Sequence, residues 1–124
     1  MDTYFDLGGY SFPVTTQSTE AQKWFDRGIL WTYGYNHEEA VLCFERAIDA
    51  NPKCAMAHWG AGYASGPNYN MPWDLFDDAG LAAAARAGYT HARKALDMID
   101  GVTRWEAALI NALPARYPQP DPLD

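Results

Sequence analysis

Several features that define common classes of protein are missing from this chain of 124 residues. No apolar stretch approaches the ~20 residues of a transmembrane helix, and residues 1–6 have neither the basic start nor the apolar core of a secretory signal. Nine basic residues stand against sixteen acidic ones, so we expect no cationic face for nucleic acid or for an anionic membrane. The two cysteines, Cys43 and Cys54, form no CxxC pair, which favours buried thiols in a cytoplasmic protein.

Catalytic sequence motifs are also missing. The chain contains no nucleophile elbow, no phosphate-binding loop, no dinucleotide fingerprint and no HExxH. The sequence therefore predicts no cofactor, and it favours a binding protein over an enzyme.

What the chain does contain is helical periodicity. Hydrophobic residues make up 48% of the sequence, which is ample material for a core. One apolar stripe has the spacing i, i+1, i+4, i+7 and i+8 of a buried helix face and consists of Ala40, Val41, Phe44, Ala47 and Ile48. Trp24, Gly28 and Trp31 form a facing stripe, and Gly28 is the expected point of close contact. Two antiparallel helices are predicted at residues 20–34 and 37–50, with Asn36 as the N-cap of the second.

These residues resemble the tetratricopeptide repeat, a two-helix unit of 34 residues. Counting from Ala21, the matches fall at positions 4, 8, 11, 20, 24, 27 and 32 and are Trp24, Gly28, Trp31, Ala40, Phe44, Ala47 and Pro52. Arg27 departs from the pattern at position 7, where the family prefers an apolar residue. The resemblance implies an all-α fold: a right-handed stack of antiparallel helix pairs, with two pairs followed by a fifth helix.

The second unit begins with CAMAHWGAGYASG, after Asn51 and Pro52 have provided an N-cap and a first helical residue. An inserted loop at residues 66–78 follows, then an alanine-rich helix to about residue 99. A capping box, Thr103 with Glu106, starts a fifth helix that ends near residue 113. The predicted organisation is an aromatic N-terminal arm (1–19), a repeat domain (20–113) and a proline-rich, extended tail (114–124). Three segments, YGYNHEEAVLCFERA, CAMAHWG and GPNYN, make most of the chain similar to the N-terminal part of a longer bacterial and fungal family of tetratricopeptide-like proteins without a well-defined activity.

The first helix of each pair lines a concave groove in tetratricopeptide proteins. Here the groove positions are aromatic and apolar, which predicts binding of an apolar or amphipathic segment of a protein or peptide partner. The predicted contact residues are Phe25, Ile29, Tyr33, Trp59 and Tyr63. Alternatively, the N-terminal arm or later helices fill this groove. The last helix also presents Trp105, Leu109 and Leu113 with no helix after it, and a second copy of the chain is one candidate to cover them.

A polar cluster supports a second hypothesis. The turns of both helix pairs are expected on one edge of the stack, which would bring His37 and Glu38 near Asn68 and Asn70. Such a set could hold a metal or a small polar ligand, in an isolated protein or as part of an enzyme. Structural explanations are also available. Asn68 and Asn70 can form hydrogen bonds with the backbone of their own loop, and Glu38 lies in the first turn of a helix, where an acidic side chain is favoured by the helix dipole. Cys54 and His58 lie four residues apart, a spacing that suits either a metal or a buried core pair.

Overall fold

The computed structural model describes residues 11–34, 36–65 and 78–117 of the chain. Over these ranges the fold is all-α, as predicted, and contains no strand. The helices are α1 (Thr19–Tyr33), α2 (His37–Ala50), α3 (Ala55–Ser65), α4 (Asp78–Asp97) and α5 (Arg104–Ala112). Short 3₁₀ turns follow α4 at Ile99–Gly101 and α5 at Leu113–Arg116. No helix in the described ranges is long and apolar enough to cross a membrane.

Local capping sets the bounds of the first two helices. The Ser18 side chain accepts a hydrogen bond from the Ala21 amide at 3.0 Å and so starts α1. Asn36 caps α2 in the same way by accepting from the Glu39 amide at 3.2 Å, which confirms the predicted N-cap. The connection between the two helices is short, and they pack as an antiparallel hairpin.

Phe44 of α2 is the centre of the first core. An added Cβ at Gly28 of α1 would lie 2.5 Å from the Phe44 ring, and one at Gly60 of α3 would lie within van der Waals overlap of the same ring. The predicted close contact at Gly28 is confirmed, and Gly60 makes the equivalent contact on the next helix. The Phe44 ring of α2 therefore packs directly against the backbones of α1 and α3, because both helices have a glycine at the point of contact.

Helix α3 lies at the centre of the described structure. It packs against all four other helices, and eight of its eleven residues are buried. Six of the eight buried residues are alanine or glycine, so the neighbouring helices can approach α3 closely. This order of contacts, in which α1 packs on α2, α2 on α3 and α3 on α4, is what consecutive helix pairs produce. The right-handed twist expected of a tetratricopeptide stack stays a prediction.

Two local predictions at chain breaks were wrong. Asn51 is the C-cap of α2, not the N-cap of α3, because its amide bonds the Ala47 carbonyl and its carbonyl accepts from the Cys54 amide at 3.0 Å. Pro52 consequently lies in a turn, and α3 begins three residues later. The predicted tail also begins too early: Tyr117 is only 2% exposed and its hydroxyl donates to the Gly62 carbonyl at 3.0 Å.

The Tyr117 ring occupies a slot on α4. A Cβ at Gly88 would overlap the ring, so only glycine leaves room for it there. Tyr117 packs with Ala92 and Leu113, both of which are buried. Residues 113–117 thus belong to the folded body and cover the junction between α3 and α4.

Candidate partner-binding surface

The clearest exposed aromatic feature lies on α3. Trp59 and Tyr63, one turn apart, stack with ring centroids 5.2 Å apart and an interplanar angle of 24°. The Trp59 indole N–H donates to the Leu109 carbonyl of α5 at 3.1 Å, which fixes its ring. The Arg116 guanidinium lies 5.1 Å from the Tyr63 ring centroid and donates to the Tyr63 carbonyl at 3.3 Å. We refer to Trp59 and Tyr63 as the aromatic patch.

The aromatic patch remains open to solvent although its rings are held in place. Tyr63 is 41% exposed, and Trp59 is half-buried. Aromatic rings with an arginine beside them are typical of the residues that contribute most to protein–protein binding. Because their positions are already fixed by contacts within the chain, binding would cost little further side-chain entropy.

The other predicted groove residues are divided by the structure. Phe25 is 0% exposed and packs on Phe44 with ring centroids 5.5 Å apart, so its prediction as a partner contact was wrong. Ile29 is half-buried against the core. Tyr33, at the end of α1, is 70% exposed.

Helix α5 presents one of the three side chains predicted for self-association. Trp105 is 41% exposed, whereas Leu113 is buried with Ala92 and Tyr117 and is not available to a second copy. Leu109 is half-buried and packs on the core. Trp105 is also in contact with the chain's own arm, since the Phe12 ring lies edge-on to it at 5.5 Å between centroids.

The described part of the arm, residues 11–18, runs back along the first turns of α1. The Phe12 amide donates to Asp26 Oδ1 at 2.7 Å, and the Phe12 carbonyl accepts from Gln22 Nε2 at 2.9 Å. Gln22 Oε1 accepts from the Val14 amide at 3.0 Å. Gln22 Nε2 also donates to Asp26 Oδ1 at 2.9 Å and so fixes the two side chains relative to each other.

The arm then reaches α5 through a buried carboxylate. Glu106 is 1% exposed and accepts four hydrogen bonds. The Thr15 amide donates to Oε2 at 2.9 Å, and Oε1 accepts from the Thr15 hydroxyl at 2.6 Å, the Thr103 amide at 3.0 Å and the Thr103 hydroxyl at 2.7 Å. Burial alone would raise the pKa of Glu106, but these hydrogen bonds together hold that pKa below its usual value. Glu106 is therefore an anion that joins the arm to the start of α5.

The arm also contacts the core and the end of α2. Val14 packs against two core clusters, and Thr16 Oγ1 accepts from the Asn51 side chain at 2.6 Å. A polar depression of about 380 Å³ remains between arm and α1, lined by Thr16, Gln17, Ser18, Thr19, Gln22, Lys23 and Asp26. Whether the arm also fills the predicted groove stays a prediction. We call Gln22, Asp26 and Glu106 the arm site.

The predicted polar cluster lies only partly within the described residues. His37 and Glu38 form the first turn of α2, where Glu38 is exposed and His37 is half-buried. Within the described residues, His37 Nδ1 is buried and has no hydrogen-bond partner. Asn68 and Asn70 lie outside the described residues, so whether the four side chains converge stays a prediction.

His58 is buried and pairs with the half-buried His91 rather than with Cys54. The two rings lie 5.9 Å apart across the α3–α4 contact. His58 Nε2 is 2.8 Å from the Pro52 carbonyl, which can only accept, so this nitrogen carries the proton. Burial lowers the pKa of His58, and burial followed by the neighbouring His58 and Lys94 lowers the pKa of His91 to about 4. Cys43 and Cys54 are buried thiols, as expected, and burial raises the pKa of Cys54.

The described ranges bring together no three histidine, cysteine or carboxylate side chains in a position to hold a metal ion. The functional residues that sequence reasoning missed are those whose partners are remote in sequence. Glu106 was recognised as half of a capping box, but its bond to Thr15 spans 91 residues. Gln22 and Asp26 carry a weak signal, since they are polar residues four apart on the helix face that follows an aromatic arm.

Comparisons of the chain with models of protein families, with curated proteins and with solved structures found no match.

Proposed function

We propose that this chain is a protein-interaction module that binds an apolar or amphipathic segment of a partner through the aromatic patch. One observation carries the proposal. Tyr63 stacks on Trp59 and lies beside Arg116, yet 41% of it remains exposed. A side chain that is fixed by its neighbours but not covered by them is suited to contact another molecule.

The architecture supports the same proposal. Helix α3 carries the patch, and most of its other residues are small and buried against neighbouring helices. The backbone beneath the patch is therefore held in place by tight packing. The resemblance of residues 24–52 to a tetratricopeptide unit adds a second argument, since helices in the position of α1 and α3 line the binding groove in that family. The net charge of −7 favours a partner whose apolar segment is flanked by basic rather than acidic residues.

The test compares a patch variant with a matched variant elsewhere. Tyr63→Ala removes an exposed ring from the patch, whereas Leu42→Ala removes an exposed apolar side chain of similar accessibility from α2. Both proteins would be immobilised, and proteins retained from an extract of the native host would be quantified by mass spectrometry. Far-UV circular dichroism would establish that both variants keep the parental helix content.

The proposal predicts at least one protein that the parent and Leu42→Ala retain equally and that Tyr63→Ala retains roughly tenfold less. A tenfold loss corresponds to an anchor worth about 1.4 kcal/mol. That protein should then bind in purified form with the same order of affinities. If every retained protein binds Tyr63→Ala as well as Leu42→Ala, the aromatic patch is not the partner surface.

A second proposal rests on His37. Its Nδ1 is buried without a partner among the described residues, which is an uncommon state for a polar atom and one that a small ligand or metal would relieve. The proposed site is the polar edge of His37, Glu38, Asn68 and Asn70, acting as a binding site or as part of an enzyme. Elemental analysis of the purified parent and of His37→Ala tests its metal form. Stoichiometric metal in the parent alone would support it, and a metal-free parent would remove it.

A further inference from the structure

The arm is bound in the way that a domain binds an extended peptide. Residues 12–15 offer three backbone N–H groups, since Pro13 has none, and every one of them donates to a side chain of the arm site. The Phe12 carbonyl is also bonded, to Gln22. Main-chain hydrogen bonds of this kind give affinity for an extended chain, and side-chain contacts give specificity.

The side chains of the arm define what the site accepts. Phe12 lies edge-on to Trp105, Val14 packs on the core, and the Thr15 hydroxyl donates to Glu106. Proline at the second position loses no hydrogen bond there. The recognised segment is therefore an aromatic residue, proline, a β-branched apolar residue and a hydroxyl residue, in extended conformation.

From this we infer that the arm site is a second binding site, separate from the aromatic patch. It binds an extended segment of a partner protein with an aromatic residue, proline, a β-branched apolar residue and a hydroxyl residue in that order. In the free protein, residues 12–15 of the same chain occupy the site. The partner segment binds when it displaces the arm. A tethered segment has an effective concentration of roughly millimolar, so only a tight or locally concentrated partner segment succeeds. The arm thereby sets a threshold for binding.

The connection between arm and α1 favours a partner segment over the arm of a second copy. Thr16 Oγ1 accepts from the Asn51 side chain at 2.6 Å and from the Ser18 amide at 3.1 Å, and Ser18 caps α1. Exchange of arms between copies would have to break these bonds as well as those of residues 12–15. Displacement by a partner segment leaves them in place.

The experiment uses the full chain and a fluorescent peptide with the sequence of residues 11–16. Val14→Asp places a charge where Val14 packs on the apolar core, which should release the arm while the arm site stays intact. Gln17→Asp is the matched control, since it adds the same charge at an exposed position of the same segment. Anisotropy titrations should show binding to Val14→Asp at least roughly tenfold tighter than to the parent or to Gln17→Asp.

Substitutions in the site itself complete the test. Adding Gln22→Ala to Val14→Asp removes two backbone contacts and should weaken the peptide at least roughly tenfold. Adding Glu20→Ala, at an exposed position on the same helix, should leave binding unchanged. A peptide with aspartate in place of valine should not bind. A helical Val14→Asp protein that does not bind the parental peptide, or that binds it equally with and without Gln22, would overturn the inference.

Two further outcomes are decisive. If Val14→Asp loses its helix content, the parent with several millimolar unlabelled peptide provides the test. Displacement of the arm should then shift the amide resonance of the chain's own Thr15, because that amide loses its bond to Glu106, and an unchanged Thr15 resonance would overturn the inference. The second outcome concerns the mass in solution. If the parent forms a dimer at high concentration and the Val14→Asp variant stays monomeric, the occupant of the arm site is a second copy of the chain, and the assignment to a partner is overturned.

Discussion

Glu106 offers a demanding test of the described fold, because one buried carboxylate joins the N-terminal arm to the last helix. The perturbation is Glu106→Gln, which keeps the size of the side chain and removes its charge. A glutamine has one carbonyl oxygen, so it can accept at the position of Oε1 or of Oε2 but not at both. If the oxygen serves the Thr15 hydroxyl and Thr103, the amide group faces the Thr15 N–H, donor against donor.

The magnitude follows from this geometry. A part-buried donor that faces another donor costs up to about 1–3 kcal/mol, and the remaining bonds weaken because they are no longer made to an anion. The expected loss in free energy of unfolding is about 2–4 kcal/mol, a large part of the roughly 5–15 kcal/mol typical of a domain. Urea unfolding at pH 7, followed by far-UV circular dichroism, measures it as a fall in the midpoint of about 1–2 M.

The pH dependence gives a second readout with a definite sign. The pKa of Glu106 is lowered in the folded state, so its stabilisation is fully present above the unfolded pKa of about 4.3 and is lost as pH falls through the folded value. The difference between the parent and Glu106→Gln should therefore shrink on acidification below about pH 4. Glu45→Gln, at an exposed position on α2, should stay within about 0.5 kcal/mol of the parent. A Glu106→Gln protein as stable as Glu45→Gln, or a difference that is the same at pH 7 and pH 3, would refute the reasoning.

Two further predictions concern the α3–α4 contact. Gly88→Ala should lower the free energy of unfolding by about 1–3 kcal/mol, because the new methyl group overlaps the Tyr117 ring, although alanine favours a helix more than glycine does. Gly101→Ala is the control and should be near neutral, because no atom lies within 4 Å of the added methyl group. Equal urea midpoints for the two variants would contradict this prediction. The C2 proton of His91 should titrate with a midpoint near 4, and a midpoint near 6.5 would contradict its burial beside His58. Since the pKa of His91 is lowered on folding, stability should fall as pH drops from about 6.5 to 4, and His91→Leu should flatten that fall.

The helices were predictable because their signals are local. The observed bounds of α1, α2 and α5 fall within one or two residues of the prediction, since the caps at Asn36 and Thr103 and the apolar spacing all lie within a few residues of one another. The contact at Gly28 was also predictable, because a large residue needs a small one opposite it.

The surface was harder to predict. Phe25 occupies a position that lines the groove in tetratricopeptide repeats, yet here it shares a buried stripe with Ala21 and Gly28. That spacing of four and three residues is visible in the sequence and is the better guide to burial than the family position. Tyr117 gave no such signal, because the slot that holds it exists only after α3 and α4 have packed.

The arm shows why long-range polar contacts escape sequence reasoning. Its aromatic composition indicated that it would pack on something, but the bonds from Thr15 to Glu106 depend on α5 returning to the start of α1. The spacing of apolar residues along the chain gives no indication that α5 lies next to residue 15. A buried glutamate in a capping box is a weak indication at best, because most such glutamates lie at exposed helix ends.

The most direct test of the interaction proposal is site-specific photo-crosslinking in living cells. A photoreactive phenylalanine at position 63 replaces a ring of the aromatic patch, and the same residue at position 42 stands on an exposed part of α2. The proposal predicts a discrete crosslinked species from position 63 that is absent from position 42 and is weakened by Trp59→Ala. Crosslinks of equal yield from both positions, or none from position 63, would contradict a partner-binding role for the patch.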